Sequence, residues 1–252
     1  MIEICVFMFG LVMGSFYNVV GLRIPSGESI IKPGSHCPKC NHSLKWYENI
    51  PIISYLFLGG KCKECNCKIS VMYPLIEFLS GVLFLISYLI FDFSDTFLIS
   101  IVLSSLVVII FVTDTKYMII LDSPLIISSI LIFIIKLIFN GYMEALKSLG
   151  SGLLIFGIMY LLMLFGNSIF KKESLGGGDI KLSFVAGMAL GPVLGCFYIV
   201  LAAFLAFPYA IYITIKNKDS MLPFGPFLAI SMLLIYFNVS AFNDFIRIIL
   251  NL

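Results

Sequence analysis

Residues 96–114 read TFLISIVLSSLVVIIFVTD: an uncharged apolar run that closes on Asp114. Runs of roughly 18 or more such residues mark transmembrane helices. An ionisable group at the edge of hydrocarbon is costly to hold there, which makes Asp114 a functional candidate. A second aspartate of this kind, Asp179, follows Gly176-Gly177-Gly178 and opens another apolar run. Two carboxyl groups so placed can share a proton and activate a water molecule.

The composition supports this reading. Of 252 residues, 60% are hydrophobic and 12% charged, a balance foreign to a soluble domain of this size. The formal net charge of +2 is too small to suggest nucleic acid as a partner. Working outward from residues 96–113, further candidate spans are 2–21, 73–91, 122–139, 149–166, 179–191, 193–214 and 222–242. The expected fold is an all-α polytopic membrane protein of about eight transmembrane helices, embedded in lipid. The apolar stretch from Ile4 to Val20 lacks a basic leader and a convincing small-residue cleavage site, so it is expected to be a retained span. Cys5 and Cys196 fall within spans and read as small buried hydrophobes.

Charge placement orients the spans. The segment 22–72 carries Arg23, Lys32, Lys39, Lys45, Lys61, Lys63 and Lys68, and Lys116, the pair Lys171-Lys172, and Lys216 with Lys218 mark three further loops. Loops rich in Lys and Arg face the cytoplasm, which places both termini outside and both aspartates at cytoplasmic span ends. Pro124 suits a first helical turn, with Asp122 or Ser123 as its cap, so span 4 is expected to start near residue 123. Asp114 to Leu121 would then be a turn or irregular segment, and the glycines before Asp179 would let backbone approach a partner helix or a peptide closely.

Residues 22–72 contain Cys37-Pro38-Lys39-Cys40 and Cys62-Lys63-Glu64-Cys65, spaced C-x2-C-x21-C-x2-C, a pattern compatible with two zinc knuckles. A polar loop of this length cannot bury enough apolar area to fold alone. A structural Zn2+ held by the four thiolates of Cys37, Cys40, Cys62 and Cys65 would supply the missing free energy. Cys67 reads as a spare thiol, and His36 and His42 as surface histidines rather than ligands. The organisation expected is a first helix over 1–21, a zinc-binding loop over 22–72, and a transmembrane core over 73–252.

Other positions have bland and functional alternatives. Asp114 could be a solvated helix-end residue, Asp179 an N-cap, and Asp122 a cap rather than a catalytic group. Glu77, inside span 2, needs a partner: an internal hydrogen bond, a polar neighbour or a substrate amine. Lys181 could bias the aspartates or snorkel to the interface. Asn18 and Arg23 could contact a ligand or anchor helix ends.

Taken together, Gly14-Ser15-Phe16-Tyr17-Asn18-Val19-Val20 with Arg23 and Pro25, Cys37-Pro38-Lys39-Cys40, Leu44 to Pro51, Ser54-Tyr55-Leu56, Tyr73-Pro74-Leu75-Ile76-Glu77, Gly176 to Lys181 and Pro223 to Phe227 stand in an order that resembles the bacterial prepilin peptidases. These are the type IV leader peptidases of the GxGD aspartic class. The resemblance implies that Asp114 and Asp179 are the catalytic pair, that Gly176 and Gly178 belong to the GxGD element, and that Glu77, Asp122 and Lys181 support the motif. It implies cleavage of the basic leader from type IV prepilins or pseudopilins at the cytoplasmic face of the bacterial inner membrane. It further implies N-methylation of the new terminus with S-adenosylmethionine, the cysteine loop being the region concerned. Leu121 departs from the family, which usually has proline there. A multi-span transporter or a non-catalytic scaffold docking through the zinc loop are the alternatives. A transporter would predict internal repeats, which the sequence does not display, and gives the cysteine loop no role.

Overall fold

The structure, a computed structural model, describes residues 1–171, 175–216 and 223–250. Among these, the regular elements are helices: α1 Ile2–Arg23, α2 Ile53–Phe57, α3 Met72–Phe91, α4 Asp95–Tyr117, α5 Asp122–Phe139, α6 Tyr142–Phe170, α7 Gly177–Lys216, α8 Gly225–Phe237 and α9 Val239–Leu250. The all-α membrane fold is as expected. Six described helices are long and apolar enough to cross a membrane, or seven if α8 and α9, which meet at 87°, form one broken span. Lys172 and Lys218, two of the residues used to orient the spans, lie outside the described residues. Two compact units divide the chain, Met1–Asp92 and Phe93–Leu252.

In the first unit α1 packs along α3. A Cβ on Gly10 would fall 2.8 Å from the Gly81 Cα, and one on Gly14 2.7 Å from the Glu77 Cα. Small residues one turn apart let two membrane helices meet backbone to backbone, where lipid offers no hydrophobic drive for association. Asn18 Nδ2 donates to the Tyr73 carbonyl at 3.2 Å, locking the same pair. At the end of α1, the Arg23 guanidinium donates to the carbonyls of Ser29, Pro33 and Gly34, so both residues act as anchors of backbone.

In the second unit, α7 explains the difference between six or seven spans and the expected eight. Gly191 breaks it with φ 81° and ψ −179°, a conformation open essentially to glycine alone. A Cβ on Gly195 would lie 3.7 Å from the Gly187 Cα, whereas residues that far apart in a continuous helix are separated by about 12 Å. The chain therefore folds back on itself, and residues 177–190 and 192–216 are two arms corresponding to the expected spans 6 and 7. The first arm is only about 20 Å long, short of the ~30 Å hydrocarbon core. Pro192 has no N–H for the carbonyl of Met188. Lys136 Nζ and Ser148 Oγ donate to that oxygen instead, both at 2.7 Å.

Several boundaries differ from expectation. Helix α4 continues through Tyr117, so Asp114 lies inside its last turn and the irregular segment shrinks to residues 118–121. Met118, left-handed at φ 53°, ends the helix. Helix α6 begins at Tyr142 rather than 149, its polar first turn supported by a 2.6 Å Lys147–Glu144 ion pair. The last expected span is interrupted at Asn238, between α8 and α9. Cys5 and Cys196 lie in helices as expected, but both are exposed, on outward faces rather than in the core.

Candidate active site

Asp114 and Asp179 are both buried, at 6% and 8% exposure, although each sits at a helix end. Asp114 belongs to the last turn of α4, and its Oδ2 has no hydrogen-bond partner among the described residues. A buried carboxyl oxygen left alone calls for a proton, a water or a ligand. Asp179 lies in the first turn of α7, with its N–H donating to the Gly176 carbonyl at 3.1 Å, and it is not the N-cap.

One side chain that sequence reasoning missed joins the two. Ile120, in the short irregular link between α4 and α5, fills the space where a Cβ on Gly178 would fall 2.8 Å from the Ile120 Cβ. Its other side covers Gly225, the first residue of α8, where a Cβ would lie 3.0 Å from Ile120 Cδ1 and 3.6 Å from the Asp114 Cγ. Asp114 and Asp179 thus flank a knot of two glycines and one isoleucine, and Asp179 lies within electrostatic reach of Asp114. Nothing in the sequence marks Ile120, because its role is only to fill the room the glycines leave. Gly176 serves differently: a Cβ there would fall 3.2 Å from Asp179 Oδ2, so the carboxylate occupies its space.

Asp122 and Lys181 meet. Lys181 Nζ stands 2.7 and 2.8 Å from the two oxygens of Asp122, joining the start of α5 to the start of α7. Asp122 is therefore an ion-pair partner and not the helix cap expected of it, since Leu121 occupies that position. Beside the pair runs an open groove of about 460 Å³ lined by apolar side chains of α5, α6 and α7, among them Leu125, Ile126, Ile130, Leu153 and Phe184. Tyr198, wholly enclosed, was also missed. Its hydroxyl has no partner among the described residues and lies within electrostatic reach of Asp179.

The first unit holds the remaining candidates. Glu77 is buried in α3 and accepts a 2.7 Å hydrogen bond from the Ile52 N–H, the internal partner its position demanded. The sulfurs of Cys37, Cys40, Cys62 and Cys65 lie within 4.8 Å of one another. Around a tetrahedral ion with Zn–S bonds of ~2.3 Å, neighbouring sulfurs stand ~3.8 Å apart. The Cys37–Cys65 and Cys40–Cys62 separations are both 3.8 Å, so the donors fit zinc.

The knuckles repeat one backbone design. Cys37 N–H donates to the His42 carbonyl as Cys62 N–H does to that of Cys67, and Asn41 and Asn66 both adopt left-handed φ near 57°, at 58° and 56°. The amides of Cys40 and Lys39 bring the Cys37 thiol down to about 6, and that of Cys67 lowers the Cys65 thiol. For Cys40 the His42 amide is outweighed by burial and the neighbouring sulfurs, which push it up to about 12, so two of the four donors favour the thiolate. Cys67 lies 3.4 Å from Cys37, and hydrogen bonds to Cys65 and Cys37 push it up to about 12. His42 Nε2 stands 3.1 Å from Oε2 of the buried Glu48, which also accepts from the Lys45 N–H at 2.9 Å. Glu48 is a tie between loop segments that the sequence did not reveal, since charged residues there look like ordinary loop polarity.

Two family profiles cover most of the chain: the Bacterial Peptidase A24 N-terminal domain matches residues 8–91, and the Type IV leader peptidase family matches residues 101–211. A Bacillus subtilis protein named prepilin leader peptidase/N-methyltransferase is 37% identical over 91% of this chain and 92% of its own. A Vibrio cholerae protein of the same name is 31% identical over 91% and 94%. An Escherichia coli protein, named type 4 prepilin-like proteins leader peptide-processing enzyme, is 31% identical over 88% of each chain. No solved structure matches.

Proposed function

This chain belongs to the type IV leader peptidase family, and from that membership we propose that it is an aspartic endopeptidase of the bacterial inner membrane that removes the leader from prepilins or pseudopilins. Asp114 and Asp179 form its catalytic pair, and the cut is made on the cytoplasmic side. The observation that carries this assignment is the convergence of two buried carboxyls around Ile120, one with an oxygen left unpartnered.

Two neighbouring carboxyls do not both ionise readily, so the pair holds one proton. The ionised member takes a proton from water as the water oxygen attacks the scissile carbonyl carbon, and its protonated partner donates to the carbonyl oxygen. Collapse of the tetrahedral species breaks the C–N bond, and the leaving amine recovers a proton from the pair. Gly176 leaves its space to the Asp179 carboxylate, and Gly178 leaves room for Ile120. The apolar groove beside Asp122 and Lys181 suits the hydrophobic segment that follows the leader.

The same protein is proposed to methylate the newly exposed N-terminus through the unit holding the thiol cluster. Zinc bound by Cys37, Cys40, Cys62 and Cys65 would serve as a structural cross-link between the two knuckles. S-adenosylmethionine would supply the methyl group. Buried Asn18 Nδ2 and Glu77 are engaged by the backbone of Tyr73 and Ile52, and Asn18 Oδ1 has no partner among the described residues.

Asp114→Asn and Asp179→Asn test the assignment by immunoblot of a co-expressed prepilin. Each variant should accumulate in the membrane and leave the prepilin uncut. Normal processing by either variant would remove that aspartate from the catalytic pair.

A further inference from the structure

The short helix α2 is built inside out. In a single helical turn Ile53, Leu56 and Phe57 share one face by their i, i+3, i+4 spacing. That face points outward, with Ile53 41%, Leu56 70% and Phe57 88% exposed. The polar side chains turn inward. Ser54 Oγ donates to the Ile50 carbonyl and Tyr55 OH to that of Ile69. Trp46, the chain's one tryptophan, is 81% exposed on the preceding turn and packs edge-on against Tyr47. Tyr47 lines a groove of about 270 Å³ together with Ile53 and Phe57, so the aromatic turn and α2 share a surface. A helix in water places its apolar stripe against the protein, and this one does the reverse.

The tie to α3 gives the level at which that surface sits. Helix α3, Met72–Phe91, has the length that crosses ~30 Å of hydrocarbon, so Glu77 lies about 7 Å inside the edge marked by Met72. Ile52 N–H reaches the Glu77 carboxylate at 2.7 Å. To do so Ile52 adopts φ 59° and ψ −50°, a strained conformation for a β-branched residue, with Ile53 N–H closing a γ-turn onto the Pro51 carbonyl. Strain of this kind persists only where the surroundings over-determine it. The backbone of residues 50–52 is thus held beside α3 at Glu77, and with the membrane edge at Met72 it would lie at the depth of the headgroup and acyl boundary.

We propose that residues 46–57 form an interfacial anchor, with Trp46, Ile53, Leu56 and Phe57 seated in the leaflet that α1 leaves at Arg23 and α3 enters at Met72. Aromatic side chains favour that layer, and an apolar helical face buried a few ångströms into it has its hydrophobic surface satisfied by lipid. Lys45, Lys61 and Lys63, close in sequence, suit the anionic headgroups above it. The anchor would hold the thiol-cluster loop against the membrane.

The sole tryptophan makes the test direct. The full chain is reconstituted in vesicles of phosphatidylcholine and phosphatidylglycerol, some prepared with acyl chains brominated near the headgroup end. Trp46 emission should be blue-shifted and strongly quenched by the brominated lipid, while aqueous iodide leaves it nearly unchanged. A second probe, Trp46→Phe combined with Phe57→Trp, should behave likewise and reports on α2 itself. Quenching of the second probe by iodide but not by brominated lipid would overturn the anchor. Shielding from both quenchers would show that protein covers this face and would overturn it equally.

Discussion

Lys181 Nζ sits between the two carboxylate oxygens of Asp122, at 2.7 and 2.8 Å, tying the start of α5 to the turn of α7 that follows Asp179. Both side chains are about half exposed, so the pair is screened and contributes less than about 1 kcal/mol. Lys181→Met or Asp122→Asn should therefore slow prepilin cleavage by no more than about fivefold, the factor that corresponds to ~1 kcal/mol. Exchanging the charges, with Asp122→Lys and Lys181→Asp together, should recover most of that loss. A null phenotype from Lys181→Met alone would give this lysine a direct part in the chemistry.

The glycine run should be unequal in its tolerance. At Gly178 an alanine methyl would press on the Ile120 Cβ at 2.8 Å, a branch point that cannot swing away. Gly178→Ala should cost about 1–3 kcal/mol of stability, reduce cleavage sharply, and be relieved by Ile120→Ala in the double variant. Gly176→Ala should disturb the Asp179 carboxylate. Gly177→Ala meets nothing within 4 Å and should retain full processing. Thermal unfolding and prepilin immunoblots of the set check the order.

Leu121 stands where the family usually has proline, yet its φ of −75° lies within the range a proline ring imposes. Its N–H has no hydrogen-bond acceptor among the described residues. Leu121→Pro should therefore leave cleavage intact and raise stability by about 0.4–1 kcal/mol by narrowing the unfolded ensemble.

Metal analysis of the purified chain should return one zinc per chain. Each ligand must be a thiolate, so zinc should be released on acidification as well as by a strong chelator. Cys37→Ser should lower zinc content and make residues 24–71 sensitive to protease, with methylation falling before peptide cleavage. Cys67→Ser should keep the metal. Full zinc content in Cys37→Ser would contradict the four-thiolate site.

Hydropathy made the membrane character and most helices legible, because burial in lipid is a demand on every residue of a span. Helix ends were less so. Thr115, Lys116 and Tyr117 are polar, and the apolar run stops at Asp114, but backbone hydrogen bonding does not follow hydropathy and carries α4 one turn further. Likewise α6 starts at Tyr142, within what reads as a loop, with an exposed Glu144–Lys147 pair in its first turns. The thiol knuckles were legible from spacing alone because both halves of each knuckle are local in the chain. Glu48, Ile120 and Tyr198 were not, since each acts on residues distant in sequence or fills a space only packing creates.

From its order of residues alone, this protein is a polytopic helical membrane protein with two paired thiol knuckles and two costly carboxyls at span ends. Those traits follow from transfer free energy and from short-range geometry, which are properties of the chain itself. Tertiary structure decided which groups meet: that Ile120 bridges Gly178 and Gly225 beside the aspartates, that Lys181 takes Asp122, and that Glu77 holds Ile52. Such meetings depend on how glycine-lined helix faces close on one another, and no local pattern encodes them.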